Sequence, residues 1–421
     1  MTSIIFLILL VAITILGLEI VVVLGVATIG ISLISGAFPV GNIGITAFES
    51  LNSAPLIAMP LFVLAGNLIL RSGIADQLVE FSKSLVGMFP GGLAITSIVA
   101  SGFFAAISGS NSATVATIGQ IMLPRMKKEG YPVSFTLGTV AAGGTVGIII
   151  PPSIAFILYG FTSGVSISDL FLAGILPGIL MVSSMGLVGL LVCLRFGWGQ
   201  RSPFSVSGIF RSAWHVKWAA LAVFIILGGI YGGVFTPTEA SGVSVMYCLF
   251  IGLFVTRQFG FSDIPSILVS SARVSGIIAP ILAISITLSQ AMVMAGFTEV
   301  FIEALTGLTQ SPVGLLLLMM GIIVLIGMFL EATPAMLILT PLFAPIVAAI
   351  GMDPVHFGVV LIVGLAIGFI TPPMGLNLFV ASAVGNTPIH QITKYALPYA
   401  LVLFLVWLVI AFWAPLSMVL L

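Results

Sequence analysis

Gly143-Gly-Thr-Val-Gly147-Ile-Ile-Ile-Pro151-Pro152 and Gly364-Leu-Ala-Ile-Gly368-Phe-Ile-Thr371-Pro372-Pro373 are one apolar pattern written twice, 221 residues apart. Two successive prolines remove two N–H donors from a helix and strand the carbonyls about four residues upstream. In an apolar setting such a segment is a broken helix, with freed carbonyls near Gly147 and Gly368. Gly-xxx-Gly alone also suits a generic helix-packing face, but here Pro-Pro follows it at equivalent places in both copies. The same shift superposes Pro124 on Pro345 and Gly130 on Gly351, and a nearly equal one puts Asn67 on Gln290, Gly73 on Gly296 and Glu80 on Glu303. The chain is an internal repeat.

Its solvent is a lipid bilayer. Hydrophobic residues make up 60% of the 421 and charged residues 6%, with a mean hydropathy of +1.33, outside the range of water-soluble domains. Stretches such as 219–230, 315–330 and 395–413 are apolar on every face, which a helix tolerates only among lipid or other helices. The 47 glycines and 23 prolines indicate bent, broken and closely packed helices. Residues 1–24 lack a basic leader and a small-residue cleavage site and read as a retained first span. Cys193 and Cys248 lie in apolar stretches and give no disulfide or metal framework. His215, His356 and His390 sit near span ends without metal-ligand spacing. No Gly-xxxx-Gly-Lys-Ser/Thr loop, His-Glu-xx-His motif or paired Asp-rich motif is present, so the chain reads as neither a nucleotide hydrolase nor a membrane enzyme. No nucleic-acid partner is expected.

The twelve Lys and Arg residues draw the topology. With their loops placed in the cytoplasm, the opposite loops hold only Glu49, Asp169, Glu239, Glu299, Glu303 and Asp353 as charges. This asymmetry requires the apolar region 92–123 to enter and leave beside cytoplasmic cations, and 313–350 to enter and leave on the outer side. Each is long enough for two half-helices at about 1.5 Å per residue against a core of about 30 Å. Both are expected to be re-entrant hairpins, opening to opposite sides. The remaining crossings fall near 3–18, 20–38, 55–70, 133–160, 170–194, 218–236, 241–256, 275–296, 356–382 and 395–420, with both termini outside; one long tilted helix in place of the first two would put the N-terminus in the cytoplasm. The fold class is therefore an all-α polytopic membrane protein built as an inverted repeat, the architecture of secondary transporters with sites at the repeat interface. Residues 1–70 form scaffold helices, 71–194 the first repeat, 195–217 a cytoplasmic linker, 218–297 further scaffold, 298–394 the second hairpin and broken helix, and 395–421 the last span.

The first hairpin tip, Ser108-Gly-Ser-Asn-Ser-Ala-Thr114, clusters hydroxyls and an amide inside an apolar region. Its oxygens, with freed carbonyls, suit a hard cation, and its half-helix N-termini suit an anion. A Ser/Gly packing patch is the alternative. Ser108, Ser110, Asn111, Ser112, Thr114 and, on the second tip, Thr333 are the candidate substrate contacts. The second tip reads Glu331-Ala-Thr333-Pro334, and Glu331 is the one acidic residue placed deep in the membrane. It can ligate a cation, relay a proton or cap a helix. With no Lys or Arg at the midplane, an anionic substrate is balanced by co-bound cations and backbone dipoles.

Three further stretches, Leu170-Phe-Leu-Ala-Gly-Ile-Leu-Pro-Gly178, Gly232-Gly-Val-Phe-Thr-Pro-Thr-Glu-Ala240 and Ile370-Thr-Pro-Pro-Met-Gly-Leu-Asn-Leu378, resemble the large membrane subunit of TRAP transporters along essentially the whole chain. The resemblance implies a tripartite importer in the bacterial inner membrane, with a separate four-helix membrane subunit and a periplasmic substrate-binding protein. It implies an elevator mechanism driven by Na+ and a substrate among the C4-dicarboxylates, sialic acid and other organic acids. The family's sodium sites, carried over by motif, fall on Ser108, Ser110, Gly147, Ile150 and Pro152, and near Gly327, Glu331, Gly368, Thr371 and Met374. Residues 235–240 receive no role. A stand-alone sodium/dicarboxylate symporter with the same repeat is the nearest alternative. An ion channel is disfavoured, because hairpins from opposite sides imply alternating access.

Overall fold

The structure is a computed structural model describing residues 19–421; the span expected at 3–18 lies outside the described residues. These form helices and connecting turns with no strand. Helix α1 (Ile20–Ser35) ends on Gly36 in the left-handed region, and a short α2 (Asn42–Leu51) leads to α3 (Ala54–Arg71), whose last turn carries Arg71. Gly73, at φ 71°, turns the chain into α4 (Ile74–Val86). This helix buries Ile74, Ala75, Leu78, Val79 and Ser82 and leaves Asp76, Glu80 and Lys83 for the polar side.

The first expected hairpin is α5 (Gly92–Ser108) followed by α6 (Asn111–Lys128), broken at Gly109 and Ser110. Its second arm runs past Pro124 to Lys128, five residues beyond the expected end at 123. The basic last turn favours that continuation by opposing the helix dipole, and Arg125 pairs with Asp76 (3.0 Å) and Glu80 (2.5 Å) on α4. The first broken helix is α7 (Val133–Gly143), a tighter 3₁₀ turn over Gly144–Ile148, the Pro151-Pro152 break, and α8 (Ile154–Ser163). A long α9 (Ile167–Phe196) closes the first repeat.

The linker expected over 195–217 is only half a linker. Ser205 accepts a hydrogen bond from the Gly208 N–H (3.1 Å) and starts α10 (Val206–Tyr231), so residues 206–217 are the opening turns of the next helix. Lys217 lies over the Trp214 ring at 3.4 Å, an arrangement suited to an interfacial end. Residues 235–240, left without a role by sequence, build a cap: Thr236 and Glu239 form a reciprocal capping box on α11 (Pro237–Phe250), and the Thr238 hydroxyl donates to the Ala54 carbonyl at the start of α3 (3.0 Å). A π-turn over Ile251–Val255 extends α11. The span expected at 275–296 is the last two-thirds of α12 (Ile264–Met294).

The second repeat then retraces the first. Gly296, at φ 69°, turns into the short α13 (Phe297–Leu308), as Gly73 turns into α4. The second hairpin is α14 (Pro312–Gly327) and α15 (Ala332–Ala349). The second broken helix is α16 (Pro354–Gly368), started by the Asp353 carboxylate capping two N–H groups, and α17 (Leu376–Gly385). Helices α18 (Ile389–Phe412) and α19 (Pro415–Met418) end the chain. Both Pro-Pro bonds, 151–152 and 372–373, are cis.

The two copies are swapped into one another. The second half of each broken helix packs on the hairpin arm of the other repeat, α8 on α15 and α17 on α6. The first half of each packs on the closing helix of the other, α7 on α18 and α16 on α9. The symmetric pairs α3 with α12 and α9 with α18 also touch. Among the described residues, seven helices are long and apolar enough to cross a membrane. One large core joins both repeats, with the aromatic side chains Tyr159, Phe171, Phe343, Tyr399 and Trp407 fully enclosed.

Candidate functional site

The first tip is made of oxygens. The Thr114 hydroxyl donates to the Ser110 carbonyl (2.7 Å) and lies 3.2 Å from the Ser108 hydroxyl, while the Ser110 and Ser112 hydroxyls are 3.4 Å apart. Ser110 Oγ also accepts from the Ala113 N–H (3.4 Å), capping α6. Ser108, Asn111 and Thr114 are buried and Ser110 and Ser112 half-buried, so packing and polarity coexist at one place.

Glycine brings the broken helix against this tip. A Cβ on Gly147 would stand 2.6 Å from the Ser110 carbonyl oxygen and 2.7 Å from the Asn111 backbone. A Cβ on Gly109, at φ 58°, would stand 2.8 Å from the Pro152 carbonyl oxygen. Of the carbonyls stranded by the prolines, that of Ile148 is recovered by the Ser153 hydroxyl (2.5 Å), while that of Gly147 has no donor among the described residues. Ile150 points its side chain toward Gly102 and Gly178, away from the tip hydroxyls. Ser108, Ser110, Thr114, Gly147 and Pro152 are thus gathered in one cradle.

The second tip repeats the close approach with different chemistry. A Cβ on Gly368 would meet the Gly327 backbone at 2.5–2.8 Å. The Gly375 N–H donates to the Met328 carbonyl (3.2 Å), fixing the loop after the prolines to the tip. Here the stranded carbonyls find local donors: Gly368 accepts from the Thr371 N–H (3.0 Å) and Phe369 from the Asn377 N–H (3.0 Å). A carbonyl has two lone pairs, so each retains one for a ligand. The Thr371 hydroxyl is turned back to the Ile367 carbonyl (2.7 Å). Glu331 holds the N-cap position of α15 without capping it. With Gly327 and Met374, the residue instead lines a cavity of about 80 Å³ between the tip and the loop. Thr333 is buried in the first turn of α15. The first proline pair is buried whereas Pro372, Pro373 and Met374 are exposed, so the second site is the more open.

Both cradles offer hydroxyl and carbonyl oxygens, and the second one carboxylate. Among the described residues no three His, Cys, Asp or Glu cluster. The hydroxyl, carbonyl and carboxylate oxygens gathered there fit a hard cation.

A residue that sequence reasoning passed over ties the first tip to the second broken helix. Asn377 is fully buried, donates from Nδ2 to the Ala141 carbonyl (3.1 Å) and accepts at Oδ1 from Asn111 Nδ2 (3.0 Å). It stood in view within Gly-Leu-Asn-Leu378, but its partners lie 236 and 266 residues away.

A family model for the tripartite ATP-independent periplasmic transporter, DctM component, matches residues 7–416. The chain belongs to the DctM family. The DctM relatives include an isethionate TRAP transporter permease protein DctMQ of Oleidesulfovibrio alaskensis, 38% identical over 91% of this chain; the chain spans 60% of that protein's length. A C4-dicarboxylate TRAP transporter large permease protein DctM of Pseudomonas aeruginosa is 37% identical over 89% of this chain and 88% of its own. A sialic acid TRAP transporter large permease protein SiaM of Vibrio cholerae is 35% identical over 85% and 83%. The fold of this DctM chain is shared with the YdaH transporter of Alcanivorax borkumensis, at a TM-score of 0.58 and 17% identity over 87% and 88% of the two chains. This is a family of transporter permeases, not of enzymes.

Proposed function

We propose that this DctM chain is the substrate-translocating component of a sodium-coupled, binding-protein-dependent importer of an organic acid in the bacterial inner membrane. The observation that carries the reading is the pair of oxygen-lined cradles, each made where a hairpin tip meets a glycine of a broken helix. Sodium is the cation that membrane gradients supply in quantity, and it needs five or six oxygens of the kind gathered there. The residues that would hold it are Ser108, Ser110, Gly147, Ile150 and Pro152 at the first cradle and Gly327, Glu331, Gly368, Thr371 and Met374 at the second. On this reading an organic acid binds between the tips, near Ser112, Asn111 and Thr333, a position supported by the partial positive charge at the N-termini of α6 and α15.

The packing supports an elevator motion: hairpins and broken helices interlock across the repeats, and α3 packs on both α11 and α12, so a displacement of the interlocked elements past these three helices would preserve both cradles. Relatives named for C4-dicarboxylate, sialic acid and isethionate transport support the substrate class, and the tripartite family supports a four-helix membrane subunit and a periplasmic binding protein as partners. Reconstitution in proteoliposomes tests the reading: uptake requires a sodium gradient and the binding protein together. Uptake by this chain alone gives the stand-alone symporter, and uptake indifferent to sodium overturns the coupling.

A further inference from the structure

We propose that Asn377 is a positioning residue that couples the two cradles, so that cations bind to them cooperatively; the inference rests on the sodium reading above. The residue is fully buried, and its backbone N–H and both ends of its side-chain amide are engaged. Its backbone N–H goes to Phe369 (3.0 Å), its Nδ2 to Ala141 (3.1 Å), and its Oδ1 accepts from Asn111 (3.0 Å). Asn111 directly follows Ser110, whose carbonyl belongs to the first cradle. Asn377 lies two residues from Gly375, whose N–H holds the Met328 carbonyl at the second tip (3.2 Å). One side-chain hydrogen bond therefore spans the route from one tip to the other.

The surroundings leave that bond little slack. A Cβ on Gly144 would lie 3.2 Å from Asn377 Nδ2 and 3.3 Å from the Asn111 carbonyl oxygen, and α17 packs on both α6 and α7. The symmetry of the fold does not demand the bond, since the equivalent position in the first repeat is Phe156. An amide orphaned at this buried position costs roughly five- to 150-fold in an equilibrium constant. A first tip drawn onto its cation must carry Asn111, and with it Asn377 and the second loop, or suffer that loss. Occupation of one cradle thereby shapes the other, and reciprocally.

Equilibrium binding of radioactive sodium to the purified protein in detergent reads the coupling without substrate or partners. The wild type should give a sigmoid with a Hill coefficient of about 1.4–1.8, as a five- to 150-fold coupling between two sites requires. Asn377→Ala and Asn111→Ala should each bring it to about one, and the double variant no lower. Asn111→Ala leaves Asn377 bonded to Ala141 and serves where Asn377→Ala does not fold. A residue with only a packing role lowers the melting temperature and leaves the Hill coefficient unchanged. A hyperbolic wild-type isotherm, or a sigmoid retained in the alanine variants, overturns the inference while sodium binding stands. A wild type that binds no sodium removes the functional reading itself, and the inference with it.

Discussion

Replacing Gly147 by alanine is the sharpest test of the first cradle, because the added methyl meets only backbone. Its carbon would stand 2.6 Å from the Ser110 carbonyl oxygen and 2.7 Å from the Asn111 N and Cα, where ordinary contact begins at 3.4 Å. Neither neighbour has a rotamer to yield, so the hairpin tip must retreat by about 0.8 Å, an overpacking strain of about 1–3 kcal/mol. That displacement takes the Ser110 carbonyl out of the first shell of a cation whose oxygens stand at about 2.4 Å. Set against about 1.4 kcal/mol per tenfold, the sodium concentration for half-maximal uptake should rise roughly five- to 150-fold. Gly276→Ala is the control, since nothing lies within 4 Å of a Cβ there. The assay is a sodium titration of uptake in proteoliposomes at matched protein density. A Gly147→Ala protein that assembles and shows the wild-type sodium curve refutes the cradle.

Gly368→Ala should raise the sodium requirement likewise, since its Cβ would meet the Gly327 backbone at 2.5–2.8 Å; a curve matching wild type separates the second cradle from the cation. Ser108→Ala removes a hydroxyl ligand and should shift the sodium curve while assembly persists, whereas Ser110→Ala also removes the α6 cap and should cost about 1 kcal/mol of stability besides; sodium curves unchanged in both return the tip to a packing role. Glu331→Gln keeps an oxygen and loses the charge, so sodium dependence should weaken; wild-type uptake driven by a pH gradient without sodium, and lost in the variant, makes Glu331 the proton carrier instead. Cysteines placed beside Lys127 and beside Asp353 should label from the cytoplasm and from outside respectively, and labelling of both from one face ends the inverted topology.

The breaks were legible in the sequence because breaking a membrane helix takes conspicuous residues. Prolines 151, 152, 372 and 373 and the serine run at 108–112 announce themselves wherever they stand. The helices α4 and α13 were not, since Asp76, Glu80, Glu299 and Glu303 make their stretches resemble loops, and their buried faces are only three turns long. The first turns of α10 were hidden for the same reason: Arg211 and Lys217 mark solvent, yet Ser205 had already begun the helix. At the site, positions near each tip could be named from local composition. Asn377 could not, because nothing within a helical turn of it explains a buried amide. Glu331 was assigned three roles by sequence, and the geometry removes one, since its carboxylate does not cap α15.

The swapped packing of the repeats also sets a schedule for synthesis. Ribosomes add about 5–20 residues per second, and the hydrogen bond of Asn111 waits for a residue 266 positions later. The first hairpin therefore stands in the membrane for roughly 13–50 s with its Asn111 amide lacking its final partner. During that interval α6 has no α17 to lie on and α7 no α18, so a nascent chain stalled before its second repeat holds the Asn111 amide without its Asn377 partner and neither half can mature by itself.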